Sequence, residues 1–232
     1  MSKQVVVLIT GAGKGIGLSF AKLFAARPNY LVVGTVRHPE RDSAGLQAAG
    51  CKVITLDVGS DESCKTLPQQ LAKLGVEKID LLINNSGILI ADDLASDRVV
   101  ANAQEQFNVN ALGPLRVTKT LLPFILQSSR KQVVNMTSRM GSMEDNTSGR
   151  YYGYRASKAA MNSIHISLAR DLFAQDVSLL LLHPGMIQTE MTGKQGDMGP
   201  DEAVTRLVKL IDTKTKQDGF TFFHRDGQQL PF

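Results

Sequence analysis

Short, continuous apolar runs alternate along the chain with longer stretches in which apolar residues return every three or four positions. Val5-Val6-Val7-Leu8-Ile9 is uninterrupted and rich in β-branched side chains, as expected of a strand covered on both faces. Leu31-Val32-Val33, Val53-Ile54-Thr55-Leu56, Leu81-Leu82-Ile83, Val133-Val134 and Val177 to Leu182 read the same way, and Phe220-Thr221-Phe222-Phe223 is a last short run. Between them, Ile16, Phe20, Leu23 and Phe24 share one helix face, and Leu67, Leu71 and Leu74 share another. Ala111 to Leu126 is a long apolar segment. Arg155 to Phe173 carries Ala156, Ala159, Ala160, Ile164, Leu168 and Leu172 at helical spacing, and Ala203, Leu207, Leu210 and Ile211 close the series. Such alternation predicts βαβ units with right-handed crossovers. The expected architecture is a three-layer α/β/α domain with a doubly wound, mostly parallel sheet of about seven strands. No repeat or linker interrupts the pattern, so residues 1–232 read as a single domain. Thr192 to Pro200, with three glycines, reads as a mobile loop.

Composition narrows the class. At 43% apolar and 21% charged residues the chain is globular in type, which excludes disorder, collagen and coiled coil. Its length lets it bury a core without disulfide or metal staples. The net charge of +4 is scattered, with no basic run longer than Arg130-Lys131. That argues against nucleic acid, which asks for a concentrated basic face, and suits attraction of a phosphorylated small molecule. Cys51 and Cys64 read as free thiols of a reducing cytosol, and the four histidines have no metal-ligand spacing. The first apolar run is too short for a signal peptide's core, and no run approaches the roughly 20 residues of a membrane span. A soluble cytoplasmic protein without a membrane partner is expected.

The first strand ends in Thr10-Gly11-Ala12-Gly13-Lys14-Gly15-Ile16-Gly17. Glycines there let the backbone turn sharply beside a ligand, and the amides opening the next helix face an anion. A bare glycine motif is weak, but one that opens a helix directly after a first strand points to a dinucleotide. It is not the phosphate loop of nucleotide triphosphatases, since no Gly-Lys-Ser/Thr follows. In dinucleotide folds an acid about 20 residues on holds the ribose of NAD. Here the second strand ends Gly34-Thr35-Val36-Arg37-His38, and Glu40 comes late in the loop. Arg37 and Lys14 instead suit a 2′-phosphate, which favours NADPH over NADH. The alternative is that both are solvated surface charges.

Tyr154 and Lys158 are four residues apart at the start of a strong helix and therefore share a face. An adjacent ammonium favours phenolate and lowers a tyrosine's pKa from about 10, making it a proton donor and acceptor for an alcohol near neutral pH. Ser138 closes the strand Val133-Val134-Asn135-Met136-Thr137, and the C-terminal ends of strands are where open α/β sheets bind ligands.

Taken together, Thr10 to Gly17, Asp57-Val58, Asn84-Asn85-Ser86-Gly87, Asn110, Ser138, Tyr154-x3-Lys158 and Pro184-Gly185 with Thr189 resemble the short-chain dehydrogenase/reductase superfamily, from Val5 to the C-terminus. Five or six ordered motifs are far more specific than any one. The resemblance implies a Rossmann fold. It also implies that Gly11, Lys14, Gly15, Ile16 and Gly17 cradle the cofactor, and that Asp57 and Val58 hold its adenine. Asn85 would touch the ribose side and support the sheet, and Asn110 would anchor a water of a proton relay. Ser138 would orient a substrate carbonyl, Tyr154 would be the acid/base, and Lys158 would bind the nicotinamide ribose and acidify Tyr154. Ile187 and Thr189 would meet the carboxamide end.

Two departures matter. Ser86 stands where alanine is usual. Tyr154 also lies farther from Ser138 than is commonest, while Tyr151, at the commoner distance, is followed four residues on by Arg155 and not by lysine. The lysine selects Tyr154. The longer spacing, His183-Pro184-Gly185, Glu190-Met191-Thr192-Gly193 and Asp226-Gly227-x3-Pro231 resemble the C-factor and sniffer-like carbonyl reductases. His183 reads as a structural residue.

The implied activity is NADPH-dependent reduction of a ketone or aldehyde. Ile88, Leu89, Met140, Met143, Met186 and Met191 near the strand ends suit a hydrophobic carbonyl or alcohol substrate, since methionine adapts to irregular shapes. The rival is a non-catalytic NADP(H)-binding regulatory or signalling protein, against which the intact Asn110, Ser138, Tyr154 and Lys158 count. A dehydratase or epimerase would more often carry a longer C-terminal region. By resemblance, the helices from Ala111 and Tyr154 onward pair between subunits in a homodimer or homotetramer.

Overall fold

The computed structural model describes residues 4–232. Its strands are β1 (Val5–Ile9), β2 (Tyr30–Val36), β3 (Lys52–Thr55), β4 (Leu81–Asn84), β5 (Gln132–Met136), β6 (Ser178–His183), β7 (Phe222–His224) and β8 (Gln229–Leu230). They form one sheet in the order β3-β2-β1-β4-β5-β6-β7-β8. Every pairing is parallel except β7 with β8. β1 lies between β2 and β4, so the chain reverses its direction of winding there. The crevice outside the ends of β1 and β4 is where a doubly wound sheet takes its ligand.

The helices are α1 (Gly15–Ala25), α2 (Pro39–Asp42), α3 (Ala44–Ala48), α4 (Asp61–Lys65), α5 (Leu67–Lys73), α6 (Val99–Phe107), α7 (Gly113–Leu126), α8 (Tyr152–Leu172) and α9 (Pro200–Thr213). Alternate residues of β1 serve opposite cores: Val7 and Ile9 pack with Phe20, Phe24, Leu207 and Ile211 of α1 and α9. Val6 and Leu8 pack with Leu67, Leu71, Val117, Leu121 and Leu172 of α5, α7 and α8. Because both faces of the sheet are apolar, its strands read as continuous rather than alternating runs.

Three details depart from the periodicity. A two-residue antiparallel strand, β8, adds an eighth member to the sheet. Phe220 ends a 3₁₀ turn and β7 starts only at Phe222, because the run is set by ring packing at Phe173 and Phe232 as much as by the ladder. The helix expected from Ala111 follows on from α6 through a π-type turn, Asn108–Leu112. Such bulges occur often at functional sites, and this one carries Asn110. The stretch Thr192 to Pro200 turns back on itself: Ile187 bridges to Met198, and Gln188 N donates to Met198 O at 3.0 Å.

At the end of the sheet remote from the crevice, Asp80 is 3% exposed. Its carboxylate accepts from Val6 N at 2.8 Å, Ser128 Oγ at 2.5 Å and Lys78 Nζ at 2.6 Å. Burial works to raise its pKa, but Lys78 and the two hydrogen bonds prevail and hold the carboxyl below its ordinary range. Its stabilising contribution is complete above the unfolded pKa of about 3.9 and disappears as pH falls through the lower folded value. Asp80→Ala leaves the Ser128 hydroxyl and the Val6 N–H without their acceptor, while the part-exposed Lys78 ammonium keeps only Gln4 O. It should cost roughly 2–4 kcal/mol, read from urea unfolding at pH 7, and the deficit should shrink below pH 4.

Candidate active site

α1 opens without a side-chain cap and with no acid in its first turn. Its first amides therefore stay available to an anion, whose charge the helix dipole favours. The turn before it admits no larger residue at Gly17: a Cβ there would lie 2.3 Å from Gly11 O and 2.6 Å from Asn85 Nδ2. Asn85 fastens this turn to the end of β4, donating from Nδ2 to Thr10 O at 3.0 Å and Gly11 O at 3.1 Å. Thr10 Oγ1 accepts from the backbone of Asn85 and Ser86, each at 3.0 Å.

A cavity of about 670 Å³ runs along the crevice. Gly11, Lys14, Gly15, Ile16 and Gly17 of the turn line it, with Arg37 beyond β2, Asp57 and Val58 beyond β3, and Asn85 beyond β4. Tyr154, Lys158 and Thr189 complete the predicted residues on its wall. Ile187 is not there: it is 2% exposed, buried within the loop after β6. Asn110 and Ser138 lie behind the wall.

Each of these two has a defined structural task. Asn110 is 1% exposed. It accepts from Ile88 N at 2.8 Å and donates to Ile88 O at 2.8 Å and to Ser157 Oγ at 3.0 Å, so the π-type turn holds the loop after β4 against α8. Ser138 caps the short turn Arg139–Gly141, accepting from Met140 N at 3.1 Å. Its hydroxyl also faces the Tyr154 hydroxyl closely enough to favour the charged phenol.

The start of α8 explains the long Ser138–Tyr154 spacing. Arg150 and Tyr151 both adopt left-handed backbone, with φ of 58° and 52°, a conformation that costs non-glycine residues energy. Asp92, on the loop after β4, stabilises it by accepting from Tyr151 N at its main-chain oxygen (3.2 Å) and from Tyr152 N at Oδ1 (2.7 Å). The extra residues are thus taken up before the helix. Tyr151 stays outside it, while Tyr154 sits in its first turn facing the cavity.

The electrostatics differ from the sequence-based expectation. Burial pushes the Tyr154 hydroxyl up to about 12, and the Ser138 hydroxyl only partly offsets this. Lys158 does not acidify it. Its Nζ donates to Met136 O at 3.1 Å and lies 5.7 Å from the tyrosine ring centroid, and burial brings its own pKa down to about 8. Removal from water outweighs a charge one helical turn away. His183 is likewise pushed down, to about 3, by burial. It is neutral and packs against His224, the rings tilted by 52° with centroids 5.5 Å apart.

Also on the cavity wall, Lys14 pairs with Glu190, a residue 176 positions away that no local pattern marks as its partner. Arg41 and Asp42 also line the wall, joined through two hydrogen bonds of 2.7 and 2.9 Å. Arg41 holds the Asp42 carboxyl below its usual range. Sequence reading missed Arg41, Asp42 and Glu190; a second arginine four residues after Arg37 is the one signal that pointed to any of them. Of the apolar residues expected at the substrate end, Ile88 and Met191 line the cavity, whereas Met143 and Met186 are 76% and 53% exposed.

Comparison with known proteins agrees with this geometry. A dehydrogenase of Rhodococcus sp. (strain AD45), named for 1-hydroxy-2-glutathionyl-2-methyl-3-butene, is 36% identical over 97% of this chain and 98% of its own. The NADPH-bound carbonyl reductase from chicken fatty liver superposes with a TM-score of 0.91 at 26% identity, covering 99% of this chain and all of that one. The carbonyl reductase Sniffer of D. melanogaster has a TM-score of 0.90 at 23% identity over 99% of this chain and 100% of its own, a likeness of fold. The family model for short chain dehydrogenases matches residues 5–199, a span that runs from β1 past the Tyr154–Lys158 pair to the end of the loop after β6. The chain belongs to the short-chain dehydrogenase family of oxidoreductases.

Proposed function

We propose that this protein is an NADPH-dependent carbonyl reductase that converts a hydrophobic ketone or aldehyde to the alcohol. The observation that carries the reading is that Tyr154 and Lys158, backed by the buried Ser138, line the same cavity as the uncapped α1 terminus, Lys14, Arg37 and Arg41. The donor set fits the cofactor: backbone amides for a pyrophosphate, and Arg37, beside the Lys14–Glu190 and Arg41–Asp42 ion pairs, for a 2′-phosphate.

NADPH, when bound, supplies the hydride. Ser138 donates a hydrogen bond to the carbonyl oxygen and Tyr154 gives it the proton, the two buried hydroxyls lying side by side before reaction. Donors fixed in advance where charge develops lower the barrier without reorganisation. With a pKa of about 12, Tyr154 keeps its proton throughout the neutral range, which favours reduction over oxidation of the alcohol. Lys158 steadies the ribose, and Asn110 keeps the loop at Ile88 in place for a water-linked relay. Ile88, Met136 and Met191 give the substrate an apolar surface. By resemblance, α7 and α8 would pair subunits in a homodimer or homotetramer, and α6, packed beside α8, adds the exposed Val100 and Phe107.

The test is a panel of ketones and aldehydes followed by loss of NADPH absorbance, with NADH in parallel. Turnover with NADPH supports the reading; tight NADPH binding with no turnover on any carbonyl would favour a non-catalytic binding role. The cofactor preference has its own variant. A charge-assisted hydrogen bond contributes roughly 1.5–3 kcal/mol, so Arg37→Ala should weaken NADPH about 10- to 100-fold and leave NADH little changed. Equal losses for both cofactors would remove Arg37 from the phosphate site.

A further inference from the structure

We propose that Arg225 is a positioning residue which, through Asp197, clamps the loop after β6 in the shape that receives the nicotinamide half of the cofactor. The proposal rests on the cofactor reading above. Arg225 follows β7, and its backbone N donates to His183 O at 2.9 Å, so its place is fixed to the end of β6. Its side chain is 4% exposed, rare for a guanidinium. Its Nη1 points at Gly185, whose φ is +86° and where a Cβ would stand 1.5 Å from that nitrogen. No other residue is possible at Gly185 while Arg225 is in place.

One planar fork then ties together two points of the loop. Nη1 donates to Pro184 O at 2.8 Å, and Nη2 pairs with the Asp197 carboxylate. Arg225 holds that carboxyl below its ordinary range. From Asp197 the chain is stitched inward: its backbone N donates to Met186 O at 3.0 Å, and Gln188 Nε2 donates to Gly196 O at 3.1 Å. The two strands of the loop are thereby closed on each other from 186 to 198. Gln188, Thr189 and Glu190 then face the cavity, while Arg225 does not line it.

A buried cation is an expensive way to add stability. A well-packed apolar side chain is often as good or better, and the Arg225 Nε has no hydrogen-bond partner among the described residues. What a guanidinium does, and neither an apolar chain nor an ammonium can, is direct two fixed donors in one plane at two separate acceptors. That property sets a geometry. The geometry set here is that of the loop bearing Ile187 and Thr189.

The test uses the full chain with Arg225→Lys and Asp197→Asn. Trypsin cleavage after Lys194, an exposed residue inside the clamped loop, should accelerate about tenfold in both variants, with melting temperatures close to the parent's. NADPH affinity should fall about tenfold, and the fluorescence of bound NADPH should change. Binding of 2′,5′-ADP, which lacks the nicotinamide, should stay within twofold. Unchanged cleavage after Lys194 in both variants overturns the clamp. A parallel loss of 2′,5′-ADP and NADPH binding, with a lower melting temperature, overturns it too and makes Arg225 a general stabiliser. If the parent binds no NADPH, the cofactor reading fails, and the proteolysis comparison still decides whether the clamp exists. Should Arg225→Lys fail to fold, Asp197→Asn, at a side chain 56% exposed, carries the same comparison.

Discussion

Tyr154→Phe is expected to lower the rate of carbonyl reduction by about 10²–10⁴-fold, the usual worth of a general acid, while NADPH binding moves far less. The ring keeps its place in the first turn of α8 and Lys158 still donates to Met136 O; only the hydroxyl beside Ser138 is lost. Tyr151→Phe is the matched control. Tyr151 stands outside the helix on left-handed backbone, and its structural contact, N to Asp92 O, is made by the main chain. Activity should survive that change. Loss of turnover in Tyr151→Phe with turnover retained in Tyr154→Phe would show that the wrong tyrosine has been chosen. The parent's pH profile follows from the same side chains. Tyr154, near 12, keeps its proton across the working range. The limit on reduction is therefore Lys158, near 8, and the rate should be level from pH 6 to 7 and decline as pH rises through about 8.

Lys158→Met should lose both rate and cofactor affinity, yet make the protein more stable at neutral pH. Lys158 is 6% exposed, and burial lowers its pKa from 10.5 to about 8, a difference equivalent to roughly 3 kcal/mol. The unfolded chain binds the proton more tightly, so below pH 8 the folded ammonium opposes folding, and the penalty fades as pH rises from 8 towards 10.4. Methionine removes it. Cofactor binding should weaken about 10- to 100-fold with the lost charge-assisted contact, the fall in reduction above pH 8 should vanish from the residual activity, and the melting temperature at pH 7 should rise. A variant that is inactive and also less stable would mean that Lys158 acts chiefly as a structural donor to Met136. Activity lost against stability gained is what a functional residue held in an unfavourable setting produces.

The chain's local order determined the layered fold. Strands buried on both faces must be apolar throughout, so β1, β4 and β6 are visible as unbroken runs. Helices resting on a sheet repeat every three or four residues, so α1, α8 and α9 are visible by period. The glycine turn and the Tyr154–Lys158 pair are legible for the same reason: a turn's backbone demand and an i, i+4 helical contact involve only near neighbours. β8 and the π-type turn at Asn110 escaped because two residues and one extra residue per turn leave no periodic trace. Tertiary structure alone decided the rest. It brought Glu190 to Lys14 and Asp197 to Arg225, and set Asp92 beneath the start of α8. It also reversed the expected effect at Tyr154. The sequence places an ammonium one turn away and so predicts an acidified phenol, but only the packed fold sets how much water each group loses. Partnership and desolvation depend on which distant segments meet, and that information is spread over the whole chain rather than carried by any stretch of it.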